Sequence, residues 1–160
     1  MNTVSQCVFC QIIEGQLDDS RVYEDDDCIA IMDIHPLGNG HVIVIPKYHH
    51  QHITAFSPKL GDHLFHTAQR ILRAQRTVGW GLQGTHILLN DGPAANQTVS
   101  HCHIHIIPRQ RGDALRSMGR LALHVTGLFG PKAARKKLDR QARALRGALS
   151  DLEPAEEAEG

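Results

Sequence analysis

Along this 160-residue chain the spacing of hydrophobic positions changes from strand-like to helix-like and back. Residues 21–24 and 28–32 are short runs rich in β-branched and aromatic residues, separated by Asp25-Asp26-Asp27. They predict two short strands joined by a solvated acidic turn. Residues 41–47 read as a third strand, stopped by Pro46, whose missing N–H cannot serve a ladder. At Ser57-Pro58 the period lengthens, with a hydroxyl at the N-cap and proline at the first helical position. Leu60, Leu64, Ala68, Ile71 and Leu72 then share one face of a helix reaching about Val78, before Gly79-Trp80-Gly81. His63 and His66 on that helix read as surface residues. Residues 85–89 return to strand, and a short helix passes through Ile12 and Ile13 near the start.

The last third is helical at residues 131–149, where Leu138, Ala142, Leu145 and Leu149 form a stripe. Its other face carries Lys132, Arg135, Lys136, Lys137, Arg140, Arg143 and Arg146, and reads as a solvated face rather than a nucleic-acid surface. Residues 111–127 have no clean period. The expected class is α+β, one antiparallel sheet with helices on one face and a C-terminal helical extension. The expected divisions are a domain over 1–112, the extension over 113–150 packed on it, and a disordered tail over 151–160.

The most informative stretch is His101-Cys102-His103-Ile104-His105-Ile106-Ile107-Pro108. On a strand, residues two apart line one face, so the three imidazoles share a face while Cys102, Ile104 and Ile106 point to the core. A helix would scatter them. Three chemistries compete for such a row: a metal site, nucleophilic catalysis by a neutral imidazole, and a merely polar strand face. Residues 90–98, just upstream, form a turn-rich loop with amides and a hydroxyl but no basic residue. Such groups suit an anionic oxygen on which charge develops.

Lys+Arg and Asp+Glu are both 17, so charge gives no bias toward nucleic acid or membrane. Histidine, at 12, is the outlier. No secretory pattern opens the chain and no apolar run matches a bilayer, so a cytoplasmic protein with its four cysteines reduced or metal-bound is expected. Cys7-Val8-Phe9-Cys10, with no βαβ pattern after it, reads as half a zinc site more than as a redox motif, or as two small buried residues.

The triad, its Gln97-Thr98-Val99 lead-in and the Asn90 loop together resemble the histidine-triad nucleotide-binding hydrolases and transferases, with likeness from about Cys7 to Arg109. The resemblance implies the histidine-triad fold and a homodimer joined at its sheet edges. It implies structural zinc on Cys7, Cys10, His49 and His101. Strand parity places His101 on the catalytic face, so a twist or bulge is expected to turn it toward the cysteines. The implied substrate is a nucleotide, with a purine the expected base: Phe9 and Ile34 pack the base, Asp33 reaches the ribose, and Asn90, Gln97, Thr98, His105 and His41 serve the phosphate. His103 is the implied nucleophile, giving a nucleotidyl-histidine intermediate and no need of an organic cofactor. The leaving group stays open between phosphoramidates and dinucleoside polyphosphates. A nucleotide-binding regulatory protein with little turnover is the alternative. One ion held by His101, His103 and His105 together is disfavoured, since the outer two lie about 13 Å apart on a straight strand. Asn96 stands where the family usually has glycine, and asparagine tolerates the left-handed conformation best among the other residues.

Overall fold

The computed structural model describes residues 7–113, 119 and 132–157, with side chains of the last helix described through 152. Helix α1 (Val8–Ile13) is followed by strands β1 (Arg21–Glu24), β2 (Cys28–Met32) and β3 (Val42–Pro46). Helix α2 (Pro58–Thr77), strands β4 (Thr85–Leu89) and β5 (Ile104–Pro108) and helix α3 (Arg135–Glu157) complete the described elements, with one-turn 3-10 helices at Ile53–Ala55 and Pro93–Ala95. The five strands form one sheet in the order β1-β2-β3-β5-β4, and every pairing is antiparallel. None of the described helices is long and apolar enough to cross a membrane.

Alternation along β2 and β3 divides the core between two faces. Cys28, Ala30, Met32, Val42 and Val44 join Ile104 and Ile106 beneath α2 and α3, packed with Leu64, Ala68, Ile71, Leu138, Ala142 and Leu145. Ile29, Ile31, Ile43 and Ile45 point the other way, beneath Phe9, Cys10 and Ile12 of α1. Two long helices thus share one face, and a six-residue helix covers part of the other. Both central strands are buried throughout, which explains their unbroken apolar runs.

Helix α2 starts as its sequence requires. The Ser57 hydroxyl accepts Leu60 N–H at 3.2 Å, and Pro58 occupies the first turn, where its missing N–H costs nothing. Three boundaries differ from expectation by three residues or more, whereas β3 is shorter than the expected 41–47 by one residue at each end. Strand β5 begins at Ile104 rather than His101, because the backbone before it bonds to loops: His101 N–H donates to Val99 O and Cys102 N–H to His50 O. Helix α3 begins at Arg135 rather than residue 131. It runs to Glu157, so residues 151–157 are helical instead of the expected tail. Residues 114–118 and 120–131 lie outside the described residues, as do most of the aperiodic positions 111–127.

The extension is tied to the sheet by more than its apolar stripe. Ser20 Oγ donates to Asp139 at 2.6 Å, Arg135 donates to Ser20 Oγ and Asp18 O, and Arg146 donates to Arg21 O. Gln141 reaches Asn39 at 2.6 Å, and Ala133 N–H donates to Ile34 O at 2.9 Å. The extension therefore bears on the loop between β2 and β3, which forms one wall of the site.

Candidate active site

Antiparallel pairing sets His105 opposite Ile43, on the α1 side of the sheet. His103 and His101 lie on the same side, because Phe9 of α1 meets both rings edge-on, at centroid distances of 4.9 and 5.9 Å. The three imidazoles thus line one face, and α1 brings the cysteines to that face. The twist or bulge expected to reconcile His101 with the cysteines is not needed.

His103 is buried, and its Nδ1–H donates to His101 O at 2.7 Å. A ring with its proton committed at Nδ1 keeps the lone pair at Nε2. Burial holds its pKa below the ordinary histidine value, against the opposing pull of the His101 carbonyl and of Asp33. Its neighbour His105, at a ring centroid distance of 4.7 Å, is oriented by a chain of hydrogen bonds. Leu37 N–H donates to Nδ1 of the fully buried His41 at 3.1 Å, so His41 carries its proton on Nε2. That proton goes to His105 Nδ1, 2.9 Å away, and the proton of neutral His105 is consequently on Nε2. Asp33 Oδ2 stands 3.5 Å from His41 Nε2, while Asp33 Oδ1 accepts His35 N–H at 2.7 Å.

These groups open on a cleft of about 180 Å³, walled by Phe9, Ile12, Ile31, Ile34 and Val99 and ended by Asp33, Thr98, His103 and His105. An apolar slot with polar groups at one end suits a flat base with a charged tail. Ile34, in the wall of this cleft, is 41 % exposed.

Two residues expected at the phosphate make hydrogen bonds to the backbone here. Gln97 Oε1 accepts Gly92 N–H at 2.7 Å and its Nε2 donates to Gln51 O at 2.8 Å, bracing the loop against the segment after β3. Asn90 Nδ2 reaches Asn96 O at 3.5 Å. Neither lines the cleft, whereas Thr98 does. Asn96 adopts φ 63°, the one positive φ outside glycine among the described residues, so it takes the conformation a glycine would take there.

Behind the cleft, Cys7, Cys10, His49 and His101 bring their donor atoms within 4.8 Å of one another. Cys7 Sγ lies 3.5 Å from His101 Nδ1, and Cys10 Sγ lies 3.3 Å from His49 Nδ1 and 3.6 Å from His101 Nδ1. Metal bonds of about 2.3 Å to sulfur and about 2.0–2.1 Å to nitrogen at tetrahedral angles require S···N separations of about 3.5–3.6 Å. The donor set therefore fits a zinc-like ion. The second nitrogen of His101 donates to Pro46 O at 2.9 Å, which fixes its tautomer with the lone pair on Nδ1, facing the sulfurs. Burial lowers the His101 pKa to about 4, so the ring is neutral. Burial, reinforced by the Cys7 thiol, pushes Cys10 up to about 12.

The acidic turn and His63 were expected to be solvent-facing. Instead His63 Nε2 meets Asp25 Oδ2 at 2.7 Å, and Asp25 Oδ1 accepts the N–H groups of Asp27 and Cys28.

Comparison with known proteins agrees with this geometry. The HIT domain profile matches residues 14–112. An uncharacterized HIT-like protein of Mycobacterium tuberculosis is 44% identical over 109 residues, covering 68% of this chain and 75% of that one. Adenylylsulfatase HINT3 of Arabidopsis thaliana is 37% identical over 120 residues, covering 75% of this chain and 60% of its own length. The crystal structure of a Zn-bound histidine triad family protein from Mycobacterium smegmatis superposes with a TM-score of 0.76 at 34% identity, covering 95% of this chain and 99% of that one. From the row of imidazoles, the fold that carries it and these likenesses together, the chain belongs to the HIT, or histidine-triad, family of nucleotide-binding hydrolases and transferases.

Proposed function

We propose that this protein cleaves nucleoside 5′-phosphate derivatives at the α-phosphorus through a covalent nucleotidyl-histidine intermediate. The observation that carries the reading is the Nδ1–H of His103 held by His101 O, which leaves Nε2 as the attacking lone pair in a dry, neutral setting. His103 Nε2 forms the N–P bond as the bond from phosphorus to the leaving group breaks, and the leaving group takes a proton from solvent. Water then attacks phosphorus, the N–P bond breaks, and the monophosphate departs with the imidazole restored. One difficult displacement becomes two easier ones. The His105 Nε2–H, aligned through His41, offers a donor to a phosphoryl oxygen, and Thr98 offers a hydroxyl; fixed donors of this kind lower the barrier as charge shifts. Asp33 would take the ribose hydroxyls, with Phe9 and Ile34 against the base, for which a purine has the larger stacking face.

A zinc ion on Cys7, Cys10, His49 and His101 would be structural: a closed set of four protein donors ties α1 to the segment that holds His103. Free thiols at all four cysteines suit a reducing compartment such as the cytoplasm. β4 is an edge strand with Ile87 and Leu88 exposed, which supports a homodimer formed there.

The test is His103→Ala assayed against adenosine phosphoramidates, dinucleoside polyphosphates and adenylyl sulfate by released monophosphate. Turnover should fall at least about a thousandfold, roughly 4 kcal/mol of barrier, while monophosphate binding stays measurable. An acid-labile nucleotidyl adduct should be trapped on wild type only. Turnover within tenfold of wild type in the variant would refute the role.

A further inference from the structure

On the other side of the sheet from the cysteine–histidine set, three different metal-binding side chains converge under α2. Cys28 opens β2, Asp25 lies in the turn before it, and His63 belongs to the second turn of α2. Their donor atoms sit at 2.7 Å (His63 Nε2 to Asp25 Oδ2), 3.8 Å (Cys28 Sγ to His63 Nε2) and 3.8 Å (Cys28 Sγ to Asp25 Oδ2). We propose that Asp25, Cys28 and His63 form a second metal site, selective for a zinc-class divalent cation, which fastens the β1–β2 turn to α2.

Chemistry and geometry support it independently. One thiolate, one imidazole and one carboxylate form a mixed set for a borderline-soft ion, unsuited to magnesium or calcium, which take oxygen alone. Tetrahedral coordination asks for donor separations of about 3.3–3.6 Å. The two sulfur edges lie slightly outside that span. The nitrogen–oxygen edge, at 2.7 Å, is shorter than that span because the two atoms share a hydrogen bond. Small movements of these side chains would equalise the triangle.

The carboxylate is already oriented for such a role. Asp25 Oδ1 is fixed by Asp27 and Cys28 N–H, and Tyr23 Oη–H donates to Oδ2 at 2.8 Å, a second layer of support around the ligand atom. The Thr67 hydroxyl, 1 % exposed, lies 3.8 Å from Cys28 Sγ, and a water would complete four ligands. Cys28 is fully buried, but the Asp25 and His63 side chains are 23 % and 30 % exposed, which gives the ion its way in. On binding, the Cys28 thiol gives up its proton to solvent. The resulting thiolate and the Asp25 carboxylate then balance the two positive charges.

The experiment counts ions on the full chain, stripped with chelator, reduced, and titrated with zinc alone, by native mass spectrometry and elemental analysis. Wild type should hold two zinc ions, and Cys28→Ala and His63→Gln one each. His63→Gln, at a part-exposed position, serves should Cys28→Ala fail to fold. Cys10→Ser reports on the other site: it should retain one ion, and zinc should still raise its melting temperature. With cobalt as probe, Cys28→Ala should lose one thiolate-to-metal band and keep the spectrum of the two-thiolate set. Unchanged zinc counts in both Cys28→Ala and His63→Gln would overturn the proposal and reduce the trio to a hydrogen-bonded staple. A wild type with a single ion that both variants retain would do the same.

Discussion

Gly40→Ala tests how tightly the segment entering β3 is built. Gly40 has φ +79°, and a Cβ there would fall 2.5 Å from Trp80 Cε3. The backbone conformation costs a residue with a side chain about 1–2 kcal/mol. Forcing a methyl against a ring that must then move adds about 1–3 kcal/mol. The expected loss is roughly 2–5 kcal/mol, or about 5–20 °C in melting temperature for a chain of this size. Two other glycines separate the terms. Gly79 has φ +85° with nothing within 4 Å of a built Cβ, so Gly79→Ala should show the conformational cost alone. Gly61 lies inside α2 with open space around it, so Gly61→Ala should stabilise by about 0.4–1 kcal/mol. Trp80 is the single tryptophan, so urea unfolding followed by its fluorescence reads both stability and the local contact. Gly40 O also accepts the buried Gln75 amide at 2.9 Å, and His41 is the next residue, so monophosphate release should drop with the same substitution. If Gly40→Ala costs no more than Gly79→Ala, the Trp80 contact does not constrain the turn and the reasoning fails.

If Cys7, Cys10, His49 and His101 hold zinc as proposed, Cys10→Ser should lose it; an ion present at about a thousand times its dissociation constant contributes about 4 kcal/mol, so the variant should melt roughly 8–16 °C lower. Equal melting temperatures in zinc-containing buffer would contradict this. Because protonated His103 cannot attack and burial lowers its pKa, activity should persist below the ordinary histidine value and fail only at more acid pH. A kcat/KM profile already halved above about pH 6.5 would count against it. If copies pair along β4, Ile87→Lys should shift the protein from dimer to monomer in light scattering, and an unchanged mass would remove that edge from the interface.

Local pattern was enough for the strands at 21–24, 28–32 and 85–89, because their signal is a short stretch containing β-branched or aromatic residues with turn chemistry nearby. The Ser57 cap was legible for the same reason: donor and acceptor lie three residues apart. The shared face of the triad followed from parity, although the ladder itself starts only at Ile104. What the letters hid was where side chains spend their hydrogen bonds. Gln97 has the right groups for a phosphate, yet its amide is used by Gln51, 46 residues away. His63 looked solvent-facing because its partner Asp25 lies 38 residues back in a turn that itself looked solvated. The position of α1 opposite the long helices was equally hidden. It is the reason the cysteines needed no bulge to reach His101.

His101 has three polar outlets, and each is spoken for by a different part of the molecule: Nδ1 by the thiols, Nε2 by Pro46 O, and its carbonyl by His103 Nδ1. A ring clamped on both sides can hardly rotate without carrying its own backbone along, and that backbone is the support of the next imidazole in the row, His103. The magnetic environment of the His103 ring nitrogens is therefore a gauge of what sits between the sulfurs. If zinc is held there as proposed, exchanging it for the larger cadmium should move the His103 nitrogen resonances in protein that has never met a substrate, while those of His66, exposed on α2, stay where they were.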